Sequence, residues 1–295
     1  MNKQFKGILS LLLATVIWGS AFIAQSAGMD YIGPFTFQAI RCGLAVLFLI
    51  PTVFLFDLAK KDGRNALKHW FDPKLWKTGL ICGLALFVAA SLQQVGIVYT
   101  DAGKAGFITA MYIVLVPVIG FAFKNRPPKS AMVSVGIAIA GLYLLCCVGA
   151  AKINIGDVLV LGCAFAFAVQ ITLIDRFAGE LDGLRLNCIQ SLVVAVLSVP
   201  FVCFTESVDM GNILQCWLPL GFAGILSMGV AYSLQIIGQK HIEPTPAALI
   251  MSLESVFAAL GGWLILHETM TVWELTGCAM VFAAVILSQF PRKKK

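Results

Sequence analysis

Apolar residues fall in ten long runs separated by short polar joints. A helix rises about 1.5 Å per residue, so about 20 apolar residues cross a hydrocarbon core about 30 Å thick. The pattern predicts an all-α polytopic membrane protein with ten transmembrane helices. The predicted spans are residues 7–27, 34–56, 75–99, 104–123, 130–149, 155–176, 184–204, 217–239, 244–266 and 271–290.

Prolines mark several predicted span boundaries, because proline is tolerated in the first turn of a helix but not in its interior. Pro34 and Pro244 open the second and ninth spans, and Pro127 precedes the fifth. Pro117 is different, since it lies inside the fourth span. We therefore expect a kink at Pro117, with the freed carbonyl satisfied by a neighbouring helix or a water-filled cavity.

The distribution of basic residues predicts the orientation. With the N-terminus in the cytoplasm, 18 of the 21 Lys and Arg residues lie on the cytoplasmic side, whereas Lys104 and Lys152 lie outside and Arg41 lies within the second span. This positive-inside bias predicts that both termini are cytoplasmic. Residues 57–74 then form a cytoplasmic interfacial loop along the anionic inner leaflet, and residues 291–295 form a basic cytoplasmic tail.

The two halves of the chain resemble each other. Residues 7–149 and 155–290 each hold five predicted spans, and an odd number of spans inserts the second half upside down. Loop charge agrees, because basic joints in the first half correspond to acidic ones in the second. These features predict an inverted-topology repeat, which is typical of alternating-access transporters. At an offset of 142, the identical pairs are Gln93/Gln235, Gly96/Gly238, Ala105/Ala247 and Gly120/Gly262.

Composition excludes several classes of function. The chain is 59% apolar and 12% charged, against about 45–50% and about 25% in soluble domains. The net charge of +6 is explained by orientation, so we expect no nucleic-acid partner. The nine cysteines show no metal-ligand or redox spacing, so we expect neither a metal nor another cofactor. Without a nucleotide-binding motif, we expect transport to be driven by a gradient.

Four stretches carry a resemblance to a known family: Trp18-Gly19-Ser20-Ala21-Phe22, Arg41, Gly106-Phe107-Ile108-Thr109 to Val116-Pro117, and the run from Ala248 to Leu260 followed by Glu268. The chain resembles the EamA branch of the drug/metabolite transporter superfamily over nearly its whole length. The resemblance implies a bacterial cytoplasmic membrane protein with a central cavity lined mainly by spans 1, 3, 4, 6, 8 and 9. Ser255 stands where the family often has proline, so we expect a more regular ninth helix.

Two ionisable side chains lie deep within predicted spans, where charge is costly and rarely faces lipid. They are Arg41 in the second span and Glu254 near the middle of the ninth. In a functional interpretation, Glu254 is a proton site or the counter-charge for a substrate amine, and Arg41 binds a substrate carboxylate. In a structural one, the two side chains pair or hydrogen-bond to hold helices together.

Aromatic and amide side chains recur on the same helical faces and predict a cavity suited to small amphipathic organic molecules. Each amide could instead hydrogen-bond between helices. The candidate cavity residues are Trp18, Phe22, Gln25, Gln94, Tyr112, Gln170, Tyr232 and Gln235.

The sequence favours a secondary active transporter that exports amino acids or related small organic metabolites or drugs by alternating access through a central cavity. Its expected partners are a small organic solute and the bilayer, with proton coupling at Glu254 and no prediction of oligomeric state. An intramembrane enzyme is one alternative, although all three histidines lie in joints. A channel is another, although one Arg and one Glu do not form a charged ring.

Overall fold

The computed structural model describes residues 3–59, 66–100, 102–122, 127, 129–146, 154–179, 181–265 and 270–289. All regular structure within these ranges is helical. In chain order the helices are α1 (Lys3–Gly28), α2 (Pro34–Ala59), α3 (Ala66–Trp70), α4 (Pro73–Ile97), α5 (Ala102–Thr109), α6 (Tyr112–Ala122), α7 (Lys129–Cys146), α8 (Ile155–Phe177), α9 (Gly183–Thr205), α10 (Met210–Gln215), α11 (Trp217–Gly221), α12 (Tyr232–Gln239), α13 (Pro244–Met251), α14 (Leu253–Ile265) and α15 (Val272–Gln289), and a π-helical segment, Phe222–Ala231, joins α11 to α12.

Among the described residues, seven helical segments are long and apolar enough to cross a bilayer. They comprise α1, α2, α4, the α5–α6 pair, α8, α9 and the continuous stretch Trp217–Gln239. Three shorter apolar stretches, Lys129–Leu145, Pro244–Leu260 and Val272–Ser288, lie where the fifth, ninth and tenth spans are predicted. Many large apolar side chains on these helices are exposed, as lipid-facing surfaces require. The chain is a multi-pass membrane protein.

The helices form two bundles flanked by two helix pairs. The first bundle contains α1, the π segment, α12, α13 and α14, which all pack on α1. The second bundle contains α4, α5 and α6, which all pack on α8. Helix α2 packs extensively on α9, and α7 on α15.

The α2–α9 pair is fastened at both ends. At one end, Glu206 accepts hydrogen bonds from the backbone N–H groups of Phe35 and Thr36, both at 2.8 Å, and from the Thr36 hydroxyl at 2.7 Å. This places a carboxylate at the positive N-terminus of α2. At the other end, the Arg185 guanidinium lies 2.6 Å from the Asp57 carboxylate. Since the end of each helix meets the start of the other, the two helices are antiparallel.

Close backbone approach explains why glycine recurs at the helix contacts. A β-carbon on Gly96 or Gly156 would lie 3.1 or 2.6 Å from the other residue's carbonyl oxygen, which joins α4 to α8. A β-carbon on Gly7 or Gly238 would likewise lie 3.1 or 3.0 Å from the carbonyl oxygen opposite, which joins α1 to α12. Small residues are favoured between membrane helices because they allow such contact.

Two of the membrane helices are interrupted. The fourth span breaks at Ala110 and Met111, where Ile113 N–H donates to the Ala110 carbonyl three residues back. The break precedes Pro117, which lies inside α6. The kink expected at Pro117 itself stays a prediction.

The ninth span also breaks, at Ser252, between α13 and α14. The Ser252 hydroxyl donates to the Leu249 carbonyl at 2.8 Å, a contact that competes with the backbone ladder and bends helices. The expectation of a regular ninth helix was therefore wrong, although Ser255 itself lies within α14.

Gly141 and Gly277 test this packing at the contact of α7 with α15, where an added β-carbon on Gly141 would lie 2.9 Å from the Gly277 carbonyl oxygen. We expect Gly141→Ala to destabilise the protein by about 1–3 kcal/mol, because rigid backbone must move apart. Gly136→Ala, on the same helix with open space around the added carbon, is the control and should be neutral or stabilising. Equal thermal midpoints in detergent would contradict the close approach.

Candidate functional site

A cavity lined by side chains of both bundles lies between them. Its walls combine aromatic rings, methionines, amides and two ionisable side chains. The lining residues are Trp18, Ala21, Phe22, Gln25, Arg41, Gln93, Thr109, Tyr112, Phe167, Ile171, Ser227, Met228, Tyr232, Gln235, Met251 and Glu254.

One face of α1 supplies an aromatic wall. Trp18, Phe22 and Gln25 are spaced by four and three residues, so a helix places them on the same side, and all three line the cavity. The Trp18 and Tyr232 rings meet edge to face, with their centroids 5.0 Å apart and their planes at 67°. This geometry fixes both rings and gives the cavity a rigid apolar surface.

Glu254 and Tyr112 meet across the bundle interface. The Tyr112 hydroxyl donates to Glu254 Oε1 at 3.1 Å, and Glu254 is only 5% exposed. Each residue lies just after a helix interruption, since Tyr112 begins α6 and Glu254 is the second residue of α14. The first turn of a helix carries free N–H groups and positive potential, so the break at Ser252 provides a favourable environment for a carboxylate.

Arg41 is held by a neutral partner. Its Nη1 donates to Gln25 Oε1 at 2.5 Å, its guanidinium lies 5.7 Å from the centre of the Phe37 ring, and the side chain is buried. Its Nε has no hydrogen-bond partner among the described residues. Arg41 and Glu254 therefore each hydrogen-bond to a neutral side chain, and the ion pairs between described residues do not join them.

Two predicted cavity residues lie outside the lining. Gln94 Nε2 lies 3.4 Å from the Gln25 carbonyl oxygen and 3.3 Å from the Met29 sulfur. Gln170 accepts a hydrogen bond from Gln235 Nε2 at 3.4 Å and supports that lining residue from behind. The other predicted site residues all line the cavity: Trp18, Phe22, Gln25, Arg41, Tyr112, Tyr232, Gln235 and Glu254.

Several lining residues were missed by the sequence analysis. Gln93 lines the cavity and donates to the Thr109 hydroxyl at 3.2 Å, which fixes its amide. Its identity with Gln235 at an offset of 142 was a signal that could have selected it in place of Gln94. Phe167 and Ile171 carried no such signal, because apolar residues inside a span are indistinguishable from packing residues.

The described residues offer no cluster of three His, Cys, Asp or Glu side chains able to hold a metal. Most described cysteines are buried, whereas the Cys203 side chain is exposed. Burial also raises the pKa of the Cys216 thiol, which lies just before the eighth span. A raised pKa keeps a thiol protonated and unreactive, as expected of cysteines that serve in packing.

The fold and the cavity define a class: a multi-pass membrane protein with an internal polar site between two helix bundles. The EamA-like transporter family matches residues 5–147 and again residues 154–290, so the chain belongs to this family.

Three similar proteins are transporters by name. An uncharacterized transporter of Archaeoglobus fulgidus is 33% identical over 288 residues, covering 97% of this chain and 86% of that protein. The uncharacterized transporter YoaV of Bacillus subtilis is 25% identical, covering 98% of both. The threonine/homoserine exporter RhtA of Salmonella typhimurium is 32% identical over 170 residues, covering 55% of this chain and 56% of RhtA.

A solved crystal structure also has a similar fold. It superposes with a TM-score of 0.78 over 96% of each chain, although only 17% of the residues are identical. At that identity the likeness concerns the fold alone.

Tyr112→Phe tests the contact with Glu254. Removing the hydroxyl leaves the buried carboxyl group without its partner, which should cost about 1–3 kcal/mol of stability. The thermal midpoint in detergent should therefore fall. Tyr143→Phe is the matched control, because Tyr143 is exposed on α7 and its change should leave the midpoint unaltered. A midpoint equally unaffected by both substitutions would argue against the hydrogen bond.

Proposed function

We propose that the protein is a secondary active transporter that exports amino acids or related small organic metabolites or drugs by alternating access. One observation carries the proposal. The cavity at the interface of the two helix bundles is lined by one buried cation, Arg41, and one buried carboxyl group, Glu254. A site with one group of each sign, walled by aromatic rings, matches a zwitterion with a modest side chain.

The two ionisable groups have complementary roles in this proposal. Arg41 Nη1 is held by Gln25, which orients the guanidinium, and its remaining N–H groups receive the substrate carboxylate. Glu254 receives the substrate ammonium group or a proton. The hydrogen bond from the Tyr112 hydroxyl to Glu254 breaks when the solute binds. The name of RhtA, a threonine/homoserine exporter, supports solutes of this chemistry.

The proposal includes two inverted five-helix repeats, residues 7–149 and 155–290. Equivalent positions at an offset of 142 support it. Ala110, where the fourth span breaks, corresponds to Ser252, where the ninth breaks. Tyr112 corresponds to Glu254, so their hydrogen bond joins matching positions of the two halves. Interrupted helices at matching positions around one cavity are typical of transporters built from inverted repeats.

The π segment fits the same repeat. Gly83 and Gly224 occupy matching places in the third and eighth spans, because each lets its span approach one helix of the α2–α9 pair. A β-carbon on Gly83 would contact Val193 and Gln190 of α9, and one on Gly224 would contact Leu44 and Arg41 of α2. Gly83 and Gly224 are 141 residues apart, whereas Gln93 and Gln235, beyond the π segment, are 142 apart. The eighth span thus holds one residue more than the third between these points, and a π-helical turn accommodates one inserted residue.

The proposed orientation places both termini in the cytoplasm and the protein in a bacterial cytoplasmic membrane, with residues 57–74 along the anionic inner leaflet. The positive-inside bias supports it. Residues 60–65 of this loop, the tail 291–295 and Glu268 lie outside the described residues.

Single cysteines test the topology in a background without native cysteines. Lys68→Cys should react with a membrane-impermeant thiol reagent only in inside-out vesicles, because α3 is predicted to be cytoplasmic. Asp209→Cys, in the joint before α10, should react only in right-side-out vesicles. Both native residues are exposed, so each cysteine reports the side of the membrane. Reaction of both from the same face would rule out the inverted repeat.

Threonine transport in proteoliposomes tests the two cavity charges. We expect Arg41→Gln and Glu254→Gln each to reduce the rate at least tenfold. Loss of a desolvated charge contact costs about 2–5 kcal/mol, and about 1.4 kcal/mol is a factor of ten. Glu254→Gln should also abolish any acceleration by a pH gradient, whereas Glu254→Asp should retain it.

Matched controls carry the same chemical change away from the cavity. Arg176→Gln and Glu274→Gln each remove one charge from residues that do not line it, and both should transport at the unmodified rate. Normal transport by Glu254→Gln at every pH would exclude Glu254 from coupling and substrate binding. Equal losses in the cavity variants and the controls would show that charge removal acts non-specifically.

A further inference from the structure

We propose that Gln94 and Gln239 are the two gating residues of the cavity, one at each end, and that transport releases them alternately. This inference rests on the proposed function, since gates matter only if the cavity opens in turn to both faces. Neither residue lines the cavity, but each lies beside one that does, Gln93 and Gln235.

Each amide crosses from one bundle to the other. Gln94, on α4 of the second bundle, donates from Nε2 to the Gln25 carbonyl of α1 in the first bundle at 3.4 Å. Gln239, at the end of α12 in the first bundle, donates to the Ile171 carbonyl of α8 in the second at 3.2 Å. Both contacts must break if the bundles separate at that end.

The two contacts lie at opposite ends of the cavity. Gln94 meets α1 at Gln25, three residues before α1 ends. Gln239 follows Gly238, whose added β-carbon would contact the Gly7 carbonyl near the start of α1. Helix α1 therefore separates the two gates by most of its length. In the proposed orientation, Gln94 closes the extracellular end and Gln239 the cytoplasmic end.

Both cross-bundle contacts are formed in this structure, yet neither amide is fully satisfied. The Oε1 atoms of Gln94 and Gln239 are buried without a hydrogen-bond partner among the described residues. Asn187 on α9 is different. Its side-chain nitrogen donates to the Met228 and Gly229 carbonyls and to the Ser233 hydroxyl. Its side-chain oxygen accepts from Gln190 and Ser191.

This contrast explains how a gate could open at little cost. A fully bonded amide such as Asn187 loses several partners when its interface separates, so it holds a static contact. Gln94 loses only the long contacts of its nitrogen with the Gln25 carbonyl and the Met29 sulfur, and Gln239 loses one contact with the Ile171 carbonyl. Each amide gains water at both its oxygen and its nitrogen when that end of the cavity is hydrated. Gln94 and Gln239 are therefore suited to contacts that form and break in every cycle.

Labelling of a cavity cysteine tests the gates without knowledge of the substrate. Ser227→Cys, in a background without native cysteines, places one thiol in the lining. A membrane-impermeant thiol reagent is applied to right-side-out and inside-out vesicles. Gln94→Leu should raise the labelling rate from the extracellular face about fivefold, the factor expected from one net hydrogen bond, and lower it from the other face. Gln239→Leu should do the reverse.

Gln190→Leu is the matched control. Gln190 is also a buried glutamine with an unpartnered oxygen, but its Nε2 bonds to Asn187 on its own helix, so the change should alter neither rate. If a leucine variant does not elute as a folded species from size exclusion, Gln94→Met and Gln239→Met retain side-chain length and lack the amide. Unchanged rates in folded Gln94 and Gln239 variants, or shifts towards the same face, would overturn the gates.

Two further outcomes separate this inference from the proposed function. If threonine transport is absent but the two variants shift labelling in opposite directions, the substrate assignment fails and the gates stand. If threonine is transported normally but labelling does not shift, the gates fail and the transport function stands. Opposite shifts with the faces exchanged would support the gates and overturn the proposed orientation.

Discussion

Within a bilayer, each backbone N–H and C=O group must find its partner inside the protein, because lipid offers none. The described part of the chain meets this constraint with helices, and the two helix interruptions at Ala110 and Ser252 border the central cavity. Helix ends there expose backbone groups at depth, next to Tyr112 and Glu254. The polar side chains of the site and the broken helices therefore depend on each other, and neither would be stable facing lipid.

The same constraint fixes how the rest of the protein packs. Since lipid is as apolar as the helix surfaces, burial of apolar side chains does little to hold helices together, and close contact must do more. The reciprocal glycine contacts at Gly96/Gly156 and Gly7/Gly238 attach one helix to another within each bundle. The α2–α9 pair adds a carboxylate contact at one end, from Glu206 to the start of α2, and a buried ion pair between Arg185 and Asp57 at the other. Among the described residues, amides make several of the polar contacts between the two bundles: Gln94 with Gln25, Gln235 with Gln170, and Gln239 with Ile171.

Much of this arrangement was predictable from the sequence, because membrane spans have a strong signal. Runs of about 20 apolar residues predict helices, and deep ionisable residues such as Arg41 and Glu254 predict a site, since lipid exposure is excluded. The interruptions were predicted less well. Pro117 was the visible breaker, yet the breaks lie at Ala110 and Ser252, and only Ser252 has a side chain that bonds to the backbone of the preceding turn. Gln94 and Gln93 are adjacent in sequence but face different surroundings, and the identity of Gln93 with Gln235 at an offset of 142 is the sequence signal that distinguishes them.

The π segment has a consequence for how the chain tolerates changes in length. In an ordinary α-helix, deleting one residue rotates everything beyond it by about 100°. Such a deletion would turn the face of α1 that carries Trp18 and Gln25 away from the cavity. The stretch Phe222–Ala231 already contains one residue more than α-helical geometry needs. Loss of a residue there would convert the wide turn to α-helix while Tyr232 and Gln235 kept their direction. The eighth span is thus the one described membrane segment in which a shorter chain preserves the site.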